Sequence, residues 1–167
     1  MTRAIIATSW SKALAIPGER IGYLAFSPRM PEAGDLFEAC AFTSRVLGFV
    51  NAPALWQWVV AEVGDLVIDV APYREKRDLM YEGLTRIGYQ CVKPQGAFYV
   101  FPSTPIPDDV AFVGMLADEG VLAVPGSGFG APGHIRISLT VERDTVVRAL
   151  PGFERAFHKA RAGLVQG

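Results

Sequence analysis

The clearest alternation of apolar and polar residues in this chain lies between His134 and Thr140. Three apolar side chains alternate there with three polar ones, Ile135, Ile137 and Leu139 against Arg136, Ser138 and Thr140. A period of two residues is typical of a β-strand that buries one face and exposes the other. The pattern therefore predicts a strand over 134–140, with Arg136 on its polar face.

Helical spacing dominates the middle of the chain. Apolar residues recur every three or four positions in three stretches, 31–47, 55–70 and 73–87. This spacing predicts three helices with one apolar face each. Pro72 follows the second stretch and is expected to kink or interrupt that helix, because proline lacks a backbone N–H. Gly88 is expected to end the third helix.

Short strand patterns mix with helical ones in the second half, which indicates an α+β fold. Besides 134–140, strands are predicted from the apolar runs at 89–92, 96–102 and 121–124. Near the start of the chain, residues 4–7 predict a short buried strand. Residues 21–26 predict a second strand, without a prediction of burial.

Two further helices are predicted after residue 107. Asp108 or Asp109 can cap the first, which ends near Gly120. The second begins beyond Glu142 and is expected to be interrupted near Pro151.

Composition narrows the range of partners. About half of the 167 residues are hydrophobic and the net charge is -1, so the chain can bury a core and carries no general attraction for nucleic acid or an anionic membrane. No uninterrupted apolar run of about eighteen residues occurs, and the N-terminus lacks the apolar core of a secretory signal. Cys40 and Cys91 lie far apart and make no metal-ligand spacing. We therefore expect a cytoplasmic protein without a metal site.

The richest chemistry lies between Thr8 and Tyr23. Lys12 supplies an amine that can form a Schiff base with an aldehyde cofactor, while Ser9 and Arg20 can hold a phosphate on the same cofactor. A lone lysine in a loop is usually only a solvated charge. The spacing of the surrounding residues favours the cofactor interpretation.

These residues resemble the cofactor-lysine motif of the class I/II aminotransferases, fold-type-I enzymes that use pyridoxal 5'-phosphate. The family motif reads S-x-S-K, five residues, then G-x-R-x-G, and every place is filled here, by Ser9, Ser11, Lys12, Gly18, Arg20 and Gly22. The resemblance implies that Lys12 carries the cofactor as a Schiff base. It also implies that Ser9 and Arg20 bind the cofactor phosphate.

A second part of the family pattern occurs at the glycine-rich loop 125–133. The family sequence P-G-x-x-F-G, followed by G-x-x-x-R-x-S, is resembled by Pro125, Gly126, Phe129, Gly130, Arg136 and Ser138. The spacing from Gly133 to Arg136 is one residue shorter here than in the family. The resemblance implies that Arg136 binds the substrate α-carboxylate, which a guanidinium can hold with two parallel hydrogen bonds. From periodicity alone, Arg136 could equally be an ordinary charge on a wet strand face. A nucleotide-phosphate loop is disfavoured, because this loop leads into a strand instead of a helix.

The resemblance also implies a domain organisation. Residues 1–53 would be the tail of the large cofactor-binding α/β domain, 54–88 interdomain helices, and 89–167 the small C-terminal αβ domain, a two-layer sandwich. The chain is then the C-terminal portion of an aminotransferase that acts on amino acids and 2-oxo acids, usually as a homodimer. Assayed alone, it is expected to lack activity and to leave the cofactor absent or weakly bound.

Two alternatives remain open at this point. One is a noncatalytic remnant that serves as a dimerisation or interaction module. The other is a related pyridoxal-phosphate lyase or synthase, because those enzymes share the lysine motif. Substrate specificity does not follow from these residues.

Overall fold

The computed structural model describes residues 3–64 and 66–165. The chain divides into two compact units, Met1–Asp69 and Val70–Gly167.

The first unit contains a two-stranded sheet and two longer helices. Its elements are β1 (Ile5–Ser9), α1 (Trp10–Ala13), a 3-10 turn (Pro17–Glu19), β2 (Gly22–Phe26), α2 (Ala33–Val46) and α3 (Ala54–Val63). β1 and β2 are antiparallel, with Ile5 opposite Phe26 and Ser9 opposite Gly22. The strands predicted at 4–7 and 21–26 and the helix predicted at 31–47 are confirmed.

The prediction that β1 is buried is wrong, as is the prediction of one helix over 55–70. Every residue of β1 is exposed, because its backbone pairs with β2 while its side chains remain open to solvent. α3 ends at Val63, and Gly64 adopts φ +53°, which an α-helix cannot continue. Residues 66–70 are irregular, and the Ile68 N–H donates to the Ala13 carbonyl at 3.1 Å.

The first unit buries little apolar surface. Ile21 and Met30 are its only buried hydrophobic residues among those described. Large side chains on its helices and connections are exposed instead, with Phe42 at 68%, Phe49 at 77% and Trp58 at 73%. A set of exposed apolar side chains of this size is unusual for a surface that only faces water.

The second unit places three helices against a small sheet. Its elements are α4 (Ala71–Ile87), β3 (Tyr99–Val100), α5 (Asp109–Asp118), β4 (Val124–Pro125), a 3-10 turn (Gly126–Phe129), β5 (Ile135–Ser138) and α6 (Arg143–Val165). The strand order is β3-β5-β4, and both neighbouring pairs are antiparallel. The predicted α+β pattern is confirmed, including the alternating strand that carries Arg136.

This unit has a continuous hydrophobic core. Helices and sheet contribute fully buried side chains, including Leu84, Phe112, Leu116, Ile135 and Phe153. Tyr89 is also buried, and its hydroxyl donates to the Phe153 carbonyl at 2.9 Å. Burial raises the pKa of the Tyr89 phenol well above its ordinary value, so this hydroxyl keeps its proton throughout the usual pH range.

Both proline predictions are wrong. Pro72 lies in the first turn of α4, where the missing N–H costs nothing because first-turn amides have no helical acceptor. Pro151 lies inside α6, which continues through it to Val165. Gly152 and Phe153 are buried directly after the proline, so packing against the core holds the helix together there.

The strand predicted at 134–140 is shorter in the structure, at Ile135–Ser138. Three other predicted strands are also shorter than expected or are absent. The stretch 89–92 is not a strand, because the Tyr89 N–H donates to the Leu84 carbonyl and completes the end of α4. In 96–102 only Tyr99–Val100 forms a strand, and Ala97 adopts φ +58°, which is incompatible with extended backbone. The strand predicted at 121–124 starts only at Val124.

Replacing Leu84 by alanine is expected to destabilise the protein by about 2–5 kcal/mol, because a fully buried leucine leaves a cavity. Leu122→Ala is the matched control, since Leu122 is 89% exposed and its loss should change stability by less than about 0.5 kcal/mol. Urea unfolding followed by circular dichroism measures both. Equal losses for the two variants would contradict the described core.

Candidate functional site

Residues 5–26, named here the lysine hairpin, bring Ser9, Lys12 and Arg20 to one end of the two-stranded sheet. Ser9 ends β1 and lies opposite Gly22, the first residue of β2. Next to this pair, the Trp10 N–H donates to the Ile21 carbonyl at 3.3 Å. Arg20, which is distant from Ser9 along the chain, therefore returns to the strand end that carries Lys12.

Gly22 is required for this return. A Cβ atom at Gly22 would lie 2.5 Å from the Thr8 carbonyl oxygen and 3.0 Å from the Ser9 Cβ. Cβ atoms are not found so close to backbone oxygen, so a side chain here would separate the strands. The close approach of β1 therefore explains why the motif ends in glycine.

The backbone at Arg20 is constrained as well. Arg20 adopts φ +53° and ψ +48°, a left-handed conformation that is uncommon for residues other than glycine. Its guanidinium donates to the Pro17 carbonyl at 2.7 Å, across the 3-10 turn. This contact folds the arginine over its own turn and leaves further N–H donors for an anion.

The hairpin end carries the groups that a phosphorylated aldehyde needs. Ser9, Lys12 and Arg20 are all exposed, and the Ser9 hydroxyl does not cap the helix that follows it. A hydroxyl and a guanidinium suit a phosphate, and an amine suits an aldehyde. On this chemistry the residues present fit pyridoxal 5'-phosphate.

Arg136 lies on β5 in the second unit, where two aromatic rings contact its guanidinium. The guanidinium carbon is 4.6 Å from the ring centroid of Tyr99 and 4.1 Å from that of Phe129. Both distances are within the range of cation–π attraction. The sequence interpretation of Arg136 did not include these rings, although both aromatic residues were visible in the neighbouring motifs.

Across residues 3–64 and 66–165, the Arg136 guanidinium has no hydrogen bond or ion pair, although the residue is half-buried. Arg77 is also half-buried, and it donates to Asp78 at 2.8 Å and to the Pro94 carbonyl at 3.2 Å. Because cation–π contacts use no conventional hydrogen bond, Arg136 can still donate two parallel hydrogen bonds to a carboxylate.

Adjacent aspartates at the start of α5 have different roles. Asp108 caps the helix, accepting from the Ala111 N–H at 2.9 Å, which confirms one of the two predicted caps. Asp109 is buried and accepts from the Ser127 N–H at 2.6 Å. The sequence interpretation missed this second role, and its only signal was that one of two neighbouring aspartates is not needed as a cap.

No group of three or more His, Cys, Asp or Glu residues is arranged to hold a metal ion within the described ranges. None of the helices found there combines the length and apolar character needed to cross a bilayer.

Residues 1–152 match the family model described as aminotransferase class I and II. The chain belongs to this family. The resemblance predicted from the lysine motif is therefore confirmed.

Named relatives of this aminotransferase chain differ in their stated substrates. It is 36% identical over 160 residues to the aspartate/prephenate aminotransferase of Thermus thermophilus, covering 90% of this chain and 40% of the relative. It is 40% identical over 102 residues to the LL-diaminopimelate aminotransferase of Syntrophobacter fumaroxidans, covering 57% of this chain and 26% of the relative.

A solved structure has the same fold. The crystal structure of an amino transferase from Eubacterium rectale matches with a TM-score of 0.87 and 42% identity, covering 93% of this chain and 39% of that one. The aminotransferase chain thus has the fold-type-I architecture over the part that it covers. It spans about two fifths of the length of this structure and of the Thermus relative.

The substitution Gly22→Ala is expected to disrupt the lysine hairpin and to destabilise the protein by about 1–3 kcal/mol, because the new methyl group overlaps the Thr8 carbonyl. Protection of the Trp10 amide, measured by hydrogen exchange, should fall with it. Gly18→Ala is the control on the same connection, because a Cβ there meets nothing within 4 Å. Unchanged protection in Gly22→Ala would contradict the strand contact.

Proposed function

We propose that this chain supplies the cofactor-binding lysine and the substrate-binding arginine of a pyridoxal 5'-phosphate-dependent aminotransferase. Such an enzyme moves an amino group between an amino acid and a 2-oxo acid. Family membership supports the reaction class. The observation that carries the proposal is the return of the lysine hairpin, which brings Ser9, Lys12 and Arg20 to one strand end.

Each residue of the hairpin has a distinct part. Lys12 binds the cofactor aldehyde through its amine, and Ser9 and Arg20 donate hydrogen bonds to the cofactor phosphate. When bound, pyridoxal phosphate supplies an electron sink for the charge that develops at the substrate Cα. In its free-amine form, the Lys12 Nζ would accept the proton from that carbon as a general base.

Arg136 binds the substrate α-carboxylate in this proposal. Its support is the half-buried guanidinium whose N–H donors have no acceptor within the described ranges and whose position is held by Tyr99 and Phe129. Two parallel hydrogen bonds from one guanidinium fix the orientation of a carboxylate. The orientation of the carbon attached to that carboxylate is then restricted as well.

Further parts of the proposal follow the family resemblance. A homodimer in the cytoplasm is the expected assembly. The 167-residue polypeptide alone is proposed to hold the cofactor weakly and to lack turnover, because the resemblance assigns the carboxylate partner of the pyridine nitrogen to sequence before the lysine. A lyase or synthase reaction at the same lysine would be recognised by its products.

A noncatalytic interaction module is the second candidate. The observation that favours it is the exposed apolar surface of the first unit, including Phe49 and Trp58. Such a module has no need of a reactive amine. Selective reaction of Lys12 with the cofactor therefore distinguishes the two candidates.

Reductive trapping tests the role of Lys12. The polypeptide is mixed with limiting pyridoxal 5'-phosphate, reduced with borohydride, digested and mapped by mass spectrometry. Of the four lysines in the chain, Lys12 should carry most of the adduct. The reason is the neighbouring Ser9 and Arg20, which would bind the cofactor phosphate and bring its aldehyde to Lys12.

Matched variants identify the phosphate contacts. Arg20→Ala should lower labelling of Lys12 about tenfold, the effect of losing one charge-assisted hydrogen bond. Arg29→Ala, which removes another exposed arginine of the first unit, should leave labelling unchanged. Pyridoxal without phosphate should label without this dependence on Arg20. Equal labelling of all four lysines would contradict the proposed cofactor site.

The isolated polypeptide is also predicted to show no sustained turnover of L-aspartate with 2-oxoglutarate in the presence of excess pyridoxal 5'-phosphate. Coupled detection of oxaloacetate measures the reaction. Continued product formation beyond one equivalent of polypeptide would disprove this part of the proposal.

A further inference from the structure

Asp109 is the only charged side chain that is buried among the residues described, with 4% of its surface exposed. A buried carboxylate is costly unless hydrogen bonds compensate for its lost hydration. Asp109 is the first residue of α5, where the helix N-terminus favours a negative charge. It also accepts the Ser127 N–H at 2.6 Å. This hydrogen bond between Ser127 and Asp109 links α5 to the glycine-rich loop 125–133.

That loop is fixed at its base as well. The Gly126 N–H donates to the His134 carbonyl at 2.8 Å, and the Ala131 N–H donates to the Gly126 carbonyl at 3.0 Å. A Cβ atom at Gly126 would overlap the Ala131 carbonyl oxygen, so the loop is closed tightly at this point. The contact from Asp109 holds the turn that starts there, because N–H groups in the first turn have no acceptor within it.

The same turn carries Phe129, whose ring centroid lies 4.1 Å from the Arg136 guanidinium carbon. Phe129 itself is 49% exposed, so burial of its own ring does little to fix its position. The turn determines where the ring lies, and the Ser127 hydrogen bond holds the turn. A chain of contacts therefore runs from Asp109 through Ser127 and Phe129 to Arg136.

We propose that Asp109 and Phe129 are positioning residues, which hold the Arg136 guanidinium ready for a substrate carboxylate. A cation–π contact with the ring uses no conventional hydrogen bond, so the N–H donors of the guanidinium stay available for a carboxylate. Resting on the proposed function, this inference adds a buried carboxylate and an aromatic ring to the carboxylate site. Neither residue needs to touch the substrate to act in this way.

The expected size of the effect follows from the ring contact. A cation–π contact at a partly exposed site raises the population of the Arg136 conformer that contacts the ring by a factor of about two to five. If Arg136 samples other rotamers without the ring, its affinity for a carboxylate falls by the same factor. The loss should be seen as a higher dissociation constant for pyruvate, the smallest 2-oxo acid probe.

The Arg136 Nε–Hε resonance of the 15N-labelled polypeptide tests the inference, with Arg136→Lys providing the assignment. Asp109→Ala and Phe129→Leu should both move this resonance, because the ring current of Phe129 is lost or displaced. Both should also weaken its response to pyruvate about two- to fivefold relative to sodium chloride at equal ionic strength. In Asp109→Asn the resonance should stay close to its position in the unmodified protein, since the asparagine amide oxygen can still accept from the Ser127 N–H.

Asp108→Ala is the matched control, because it removes the neighbouring aspartate that only caps α5. It should leave the Arg136 resonance in place. If Asp109→Ala does not fold, Ser127→Pro removes the same hydrogen bond from its donor side, and proline is tolerated in a first helical turn. An unmoved Arg136 resonance in folded Asp109→Ala or Ser127→Pro overturns the inference.

The outcomes separate the inference from the proposed function. If pyruvate leaves the Arg136 resonance of the unmodified protein unchanged, the proposed carboxylate role of Arg136 is wrong. The response of the resonance to Asp109→Ala and Phe129→Leu still decides whether the two residues position the guanidinium. Movement in both variants with pyruvate binding supports the whole proposal.

Discussion

The candidate cofactor site depends on how closely two strand backbones can approach. Thr8 and Ser9 on β1 leave room for no side chain at Gly22 on β2, and the antiparallel ladder closes only because that position is glycine. This approach aligns the Trp10 N–H with the Ile21 carbonyl and returns Arg20 to the end of the strand that precedes Lys12. The placement of the polar side chains of this site therefore depends on a steric constraint on the backbone.

The two arginines of the candidate sites are held by different physical means. Arg20 is held locally, through a left-handed backbone conformation and a hydrogen bond to the Pro17 carbonyl of its own turn. Arg136 is contacted by two aromatic rings from other parts of the chain, Tyr99 and Phe129. The first arrangement uses one N–H donor of the guanidinium, whereas the second uses none. Both leave in-plane donors for an anion.

Patterns in the sequence predicted the elements whose cause is local. The alternation around Arg136 and the cap at Asp108 depend on neighbouring residues, and the structure confirms both. Pro151 misled the prediction, because core packing on either side keeps α6 continuous. The interaction of Asp109 with Ser127 could not be predicted, since it joins residues from separate elements. The role proposed for Lys12 comes from a family motif rather than from periodicity.

The exposed apolar side chains of the first unit have a thermodynamic consequence. Because only Ile21 and Met30 are buried there among the described residues, hydrophobic burial within this unit contributes little to its own stability. Any partner that covers those side chains in the folded state would stabilise that state by mass action. The stabilisation grows with the logarithm of the partner's concentration. The folded population of the lysine hairpin is therefore coupled to the binding of such a partner.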